Sequence, residues 1–144
     1  MTLAATLVRA RFANDWSVLV QAMPFARFLD LRVAVERDEF VCTLPFDPQL
    51  IGNPRLPALH GGATGGFLEC AGLLYIAWAR GGASWATTID LHVDYLRSGQ
   101  PRDTHAGVVV VKQGRRLVNL RVEAWQTHRD EPIALAQLHF HLNE

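Results

Sequence analysis

Apolar residues recur along this chain with two different periods. Between Leu3 and about Met23, the positions Leu3, Leu7, Ala10, Trp16, Leu19, Val20 and Met23 keep a helical spacing, and Pro24 reads as the stop of one amphipathic helix. Later the period shortens to two. In "LVNLRVEAW" Val118, Leu120, Val122 and Ala124 share one face and Asn119, Arg121 and Glu123 the other, the pattern of a strand with one buried side. Similar runs place four strands with starts near Ala86, Thr104, Arg116 and Pro132. Two shorter runs, Leu31 to Glu36 and Phe40 to Leu44, flank the polar pair Arg37 and Asp38 and predict a hairpin.

The middle of the chain obeys neither period. "PFDPQLIGNPRLPAL" contains Pro45, Pro48, Pro54 and Pro57, whose fixed φ angles and missing amide donors predict a loop without regular elements. It leads into "HGGATGGFLECAGLLYIAWAR", His60 to Arg80, in which Glu69 is the only ionisable carboxylate. A run this apolar is about long enough to span a bilayer. Its central acid and its glycines oppose that reading and favour a core helix, ended by Gly81 and Gly82. A helix apolar on nearly every side fits inside a single antiparallel sheet that wraps around it, which predicts an α+β fold. An acid in such a helix costs several kcal/mol unless it is paired, hydrogen-bonded or protonated, so Glu69 invites a chemical explanation.

Composition narrows the classes. The 144 residues suit one domain spanning 1–144, with 49% hydrophobic and 19% charged residues. Lys+Arg and Asp+Glu balance at 14 each, which provides no basic footprint for nucleic acid. Cys42 and Cys70 belong to no ligand or disulfide pattern, and His92, His105, His139 and His141 show no metal-binding spacing; no metal is expected. The N-terminal segment is interrupted by Arg9 and Arg11 and does not read as a secretory signal, so a cytoplasmic protein without a membrane anchor is expected.

With "LHGGATGGFLECAG" on the helix, "TIDLHVDYLRSG" on the next strand and "QGRRLVNLRVEAW" in the later hairpin, nearly the whole chain resembles the hotdog-fold acyl-CoA thioesterases of the phenylacetic-acid-degradation type. In that family a carboxylate lies nine residues after the His of HGG, the position of Glu69 here. The resemblance implies hydrolysis of a small or aromatic acyl-CoA with no cofactor, Glu69 acting as general base or nucleophile. Gly61, at the helix N-terminus, would offer its free amide to the thioester oxygen as charge builds there.

The family's loop carries Asn or Gln six residues before the His. That position is Pro54 here, so either the loop is shifted by one residue and Asn53 takes the role, or the role is lost. Thr88 stands where the family often has a hydroxyl beside the attacking water. His60 and Gly62 belong to the substrate-binding turn, and Arg97, Arg115 and Arg116, at strand ends, are candidates for the CoA phosphates. Phe67, Leu68, Tyr75 and Trp78 are candidate narrowing residues of an acyl tunnel.

A site drawn from two chains, together with more apolar strand than one small core can bury, implies an obligate homodimer or a dimer of dimers, with "TTIDLHVDY" at the seam. Two alternatives stay open. "GGFLECAG" is also similar to the helix of hotdog dehydratases, although their upstream HFPG-like motif is missing here, and a non-catalytic acyl-CoA binding protein could retain the fold.

Overall fold

The computed structural model describes residues 2–143. Helix α4 (Gly61–Ala79) packs against a six-stranded antiparallel sheet built from β1 (Arg32–Glu36), β2 (Glu39–Leu44), β5 (Ala86–Tyr95), β6 (Thr104–Gln113), β7 (Leu117–Trp125) and β8 (Ala134–Leu142). The strand order is β1-β2-β6-β7-β8-β5, so the strand that directly follows α4 forms one edge of the sheet and β1 the other. The expected α+β hotdog architecture is what the chain adopts.

The two-residue period reports burial faithfully. Val118, Leu120, Val122 and Ala124 are buried, as are Ala134, Ala136, Leu138, Phe140 and Leu142 of β8, and all face α4. The β1–β2 hairpin turns on Arg37 and Asp38, both at positive φ, the conformation that matches the right-handed twist of paired strands. Gly81 and Gly82, at φ +65° and +72°, end α4 as expected. Gly72 allows the closest approach of α4 to the sheet: an added Cβ there would lie 2.9 Å from Phe140 Cζ.

Two expectations fail. The single N-terminal helix is three pieces, α1 (Leu3–Ala13), α2 (Ser17–Gln21) and α3 (Pro24–Phe28). Asn14 enters the left-handed region at φ 51° and closes α1, and Pro24 starts α3 at its first position, where a missing N–H costs nothing, instead of stopping a helix. The proline-rich stretch is not free of structure either. It forms a 3-10 turn, Pro48–Leu50, and a two-stranded ribbon of β3 (Ile51–Asn53) and β4 (Ala58–Leu59), because Pro54 and Pro57 fall between the ribbon's strands and not within them.

Cys42 on β2 and Cys70 on α4 are both buried and unbridged. Burial, reinforced by Cys70, lifts the Cys42 thiol well above the ordinary cysteine range. Burial and then the Glu69 charge push Cys70 up to about 12. In the unfolded chain both thiols ionise near about pH 8.5. The fold therefore has their full contribution below that pH and loses it as pH rises toward the folded values, because the charge gained favours the unfolded state. The urea midpoint should fall between about pH 9 and 11, and a Cys42→Ala/Cys70→Ala chain should show a shallower fall. Equal slopes in the two titrations would show that burial of the thiols does not set the pH dependence.

Candidate active site

Two backbone hydrogen bonds fix the entry to α4: Leu59 N–H to Gly99 O at 3.0 Å and His60 N–H to Leu50 O at 2.7 Å. His60 is the N-cap, extended at φ −65° and ψ 130°, and its Nδ1 accepts the Gly62 N–H at 2.9 Å. A nitrogen that accepts carries no proton, so this hydrogen bond assigns the neutral ring's proton to Nε2. The other end of the same peptide unit is held as well. Tyr95, the last residue of β5, donates its hydroxyl to Gly61 O at 2.6 Å. With the 61–62 peptide clamped at both ends, the Gly61 and Ala63 N–H groups point out of the helix with no acceptor among the described residues. Nothing in the sequence singled out Tyr95; its position at the end of a strand is the only hint.

The ribbon presses on the same point. A Cβ on Gly52 would lie 2.8 Å from His60 Cα, so β3 leaves His60 no room to swing inward. Gly61 and Thr64 line a cavity of about 370 Å³ together with Tyr95, Arg97 and Ile133. Arg97 is exposed and donates to Pro132 O at 2.6 Å.

Glu69 is less enclosed than an all-round apolar helix implies. It is half-buried and makes no hydrogen bond or ion pair among the described residues. The helix is not covered on every side: Gly62, Gly66, Glu69 and Leu73, spaced like one helical face, form a partly open stripe, and Glu69 is the only charge on it. This corrects the premise of a fully buried acid. Gly61 and Glu69 stand eight residues apart, about 12 Å of helical rise, so in one chain they cannot both reach a single carbonyl group.

The other sequence-derived residues scatter. Asn53 ends β3 in the ribbon's turn, where its Oδ1 accepts from Arg55 N–H at 3.0 Å. Thr88 faces α4 from β5, paired with Phe140, whose ring packs near Gly72; no hydrogen bond joins it to Glu69. Arg115 and Arg116 lie in the β6–β7 turn, at the Ala86 and Leu142 end of the sheet and thus opposite to Tyr95 and Gly61. There they line a cavity of about 570 Å³ with Lys112, Asn119 and His139. The proposed tunnel residues are not tunnel residues. Phe67 and Leu68 are fully buried in the chain's own core, and Tyr75 and Trp78 pack against Phe40.

Comparison with known proteins agrees with the fold. The family model for the thioesterase superfamily matches residues 56–133. This chain belongs to the thioesterase superfamily. It is accordingly a thioester hydrolase. The superfamily relatives include the medium/long-chain acyl-CoA thioesterase YigI of Escherichia coli K12, 31% identical over 134 residues, covering 83% of this chain and 84% of that protein. A solved structure of a Chromobacterium violaceum protein superposes with a TM-score of 0.77 at 32% identity, covering 97% and 98% of the two chains. A putative thioesterase from Ralstonia eutropha JMP134, described as phenylacetic acid degradation-related, shares the fold at a TM-score of 0.74 and 18% identity, covering 90% and 100%. Among the described residues no helix is long and apolar enough to cross a membrane.

For the superfamily's helix entry, the cap can be tested directly. His60→Ala removes the acceptor for Gly62 N–H and should lower stability by about 1 kcal/mol, while His60→Asn, which also caps well, should recover most of it. Urea unfolding of the three chains measures this. Equal stabilities would mean that the ring nitrogen contributes nothing to the helix.

Proposed function

We propose that this thioesterase hydrolyses acyl-CoA in a site shared between two copies of the chain, with Glu69 as general base or nucleophile and the Gly61 N–H as donor to the carbonyl oxygen. The observation that carries this reading is the pair of unsatisfied groups on one helix: an N-terminal amide with no acceptor and a carboxylate with no partner. Acting as base, Glu69 takes a proton from water as the water oxygen bonds to the thioester carbon. The negative charge on the former carbonyl oxygen is met by the Gly61 amide. Collapse breaks the C–S bond, and the thiolate takes up the proton, which leaves a carboxylic acid and the free thiol of CoA.

The 12 Å or so of rise between the two groups favours two chains. So does the edge strand β5, which leaves Ile89 54%, Leu91 38% and Tyr95 55% exposed, a surface that pairing with a second β5 would cover. A two-fold antiparallel pairing there puts the partner's Ala86 end beside this chain's Tyr95. That brings the partner's Arg115 and Arg116 turn to the same end as this chain's Gly61, where cations can hold the CoA phosphates. Arg97, His60 and Gly62 take the substrate-facing side of the same helix entry, and Asn53, one residue from the family's loop position, and Thr88 take their parts only in the shared site, since neither bonds to Glu69 or Gly61 in one chain. The free thiols of Cys42 and Cys70 fit a cytoplasmic enzyme of the phenylacetic-acid-degradation type. The E. coli relative's name points to medium or long acyl chains, and the motif resemblance to small or aromatic ones.

Glu69→Gln keeps size and hydrogen bonding but removes the charge. Its kcat should fall by about a hundredfold or more, with a thermal midpoint unchanged or raised. Turnover close to wild type in a stable Glu69→Gln protein would remove Glu69 from the mechanism. The Arg115→Glu/Arg116→Glu chain should still sediment as a homodimer, with KM for acyl-CoA raised about tenfold and kcat much less affected, since these groups hold a remote part of the substrate. An active wild-type monomer at micromolar concentration would sink the shared site, and an unchanged KM at low salt would place the phosphates elsewhere.

A further inference from the structure

Glycine occupies four of the first six positions of α4, and only a floor this low lets neighbouring side chains stand over the helix as walls. With successive residues about 100° apart, Gly65 falls near 40° from Gly61, Glu69 near 80°, Gly62 near 100° and Gly66 near 140°. Each flank has its own aromatic side chain. The Tyr95 ring and hydroxyl lie over Gly61 and Gly65, 3.5 Å and 3.2 Å from the Cβ that each glycine lacks. The Phe25 ring lies over Gly66, with Cε1 3.0 Å and Cζ 3.2 Å from the missing Cβ. Glu69 therefore stands in angle between two aromatic walls, one turn beyond both Gly65 under Tyr95 and Gly66 under Phe25.

Phe25 does not stand alone. Helix α3 buries Ala26, the chain buries Leu29 just past its end, and Phe25 and Phe28 turn outward, where the two rings stack with centroids 6.2 Å apart and planes 12° from parallel. They remain 47% and 78% exposed. Two stacked, exposed aromatics are poor surface residues unless something apolar covers them. Their faces carry no hydrogen-bonding group, which suits a hydrocarbon and not the amides of pantetheine or the phosphates of CoA.

Resting on Glu69 as the reacting carboxylate, we propose that Phe25 and Phe28 form the acyl wall of the site and select linear acyl chains of medium length. The thioester lies beside Glu69, between the Tyr95 and Phe25 walls that cover the glycines, and the methylene groups run out along the two phenylalanine rings. The length preference follows from the reach of the pair, whose ring centroids are 6.2 Å apart: an acyl chain gains apolar contact with each methylene laid along both rings, and a two-carbon acyl group has none to lay there.

The test compares wild type, Phe25→Ala, Phe28→Ala and Phe25→Leu, with kcat/KM measured for acetyl-, butyryl-, octanoyl-, decanoyl- and palmitoyl-CoA. Sedimentation and thermal midpoints are taken on the same samples. Phe25→Ala should lower kcat/KM for octanoyl- and decanoyl-CoA about tenfold and that for acetyl-CoA by less than about twofold, with Phe25→Leu between. Binding of the non-hydrolysable thioether octyl-CoA relative to ethyl-CoA should weaken in the same proportion, and this measurement does not depend on catalysis. A chain-length profile parallel to wild type, or an unchanged profile in a variant that dissociates, would overturn the proposal and assign the rings to subunit contact. Glu69→Gln separates the two readings. If Glu69→Gln stays active while Phe25→Ala still shifts octyl-CoA binding, Glu69 falls and the acyl wall stands. If Glu69→Gln is inactive and the octyl preference is unchanged by Phe25→Ala, only the acyl wall falls.

Discussion

The burial of α4 against the inner face of the sheet is the constraint on which everything else rests. Phe67, Leu68, Ala71 and Leu74 are fully buried, and they meet Leu120, Val122, Leu138 and Phe140 from the sheet. Close packing of this kind needs one place where the helix can come nearer than a side chain allows, and Gly72 against Phe140 provides it. The same contact fixes the height and rotation of the helix. Because the helix cannot turn, the stripe left uncovered by the sheet is always the one that carries Gly62, Gly66, Glu69 and Leu73.

That rotation has chemical consequences. Glycines at the start of α4 are poor for helix stability, yet they allow Tyr95 and Phe25 to approach the backbone and leave the first amides accessible. The His60 cap and the Tyr95 hydroxyl act on the two ends of one peptide unit, so the direction of the neighbouring free N–H is set by the fold before any substrate arrives. Pre-set donors of this type lose little in reorganisation. Tyr95 belongs to the edge strand β5, so an edge of the sheet also steadies the helix entry.

On the proposed reading, one chain holds two half-sites. An amide at one end of the helix and a carboxylate about eight residues on cannot meet, and the Arg115–Arg116 turn lies at the far end of the sheet from both the amide and Arg97. The shared site proposed above would also cover the exposed apolar residues of β5.

The period of hydrophobic residues by itself determined the sheet, the β1–β2 hairpin and the central helix, because burial on one face or all round leaves a direct mark on residue type. The spacing of His60 and Glu69 marked the helix that carries the motif. The sequence misread segments where local chemistry has two outcomes: Pro24 starts α3 as readily as it could have ended a helix, and Pro54 and Pro57 sit between the ribbon strands and interrupt neither. Phe67, Leu68, Tyr75 and Trp78 show the same limit, since an aromatic or aliphatic side chain on an apolar helix looks identical whether it faces a core or a ligand. Only the tertiary structure decided that these four belong to the core, that Glu69 stands on an open stripe, and that Tyr95 and Phe25 flank it. Those facts depend on the rotation of α4 against strands distant in sequence, which is set by packing across the whole sheet and by no local pattern.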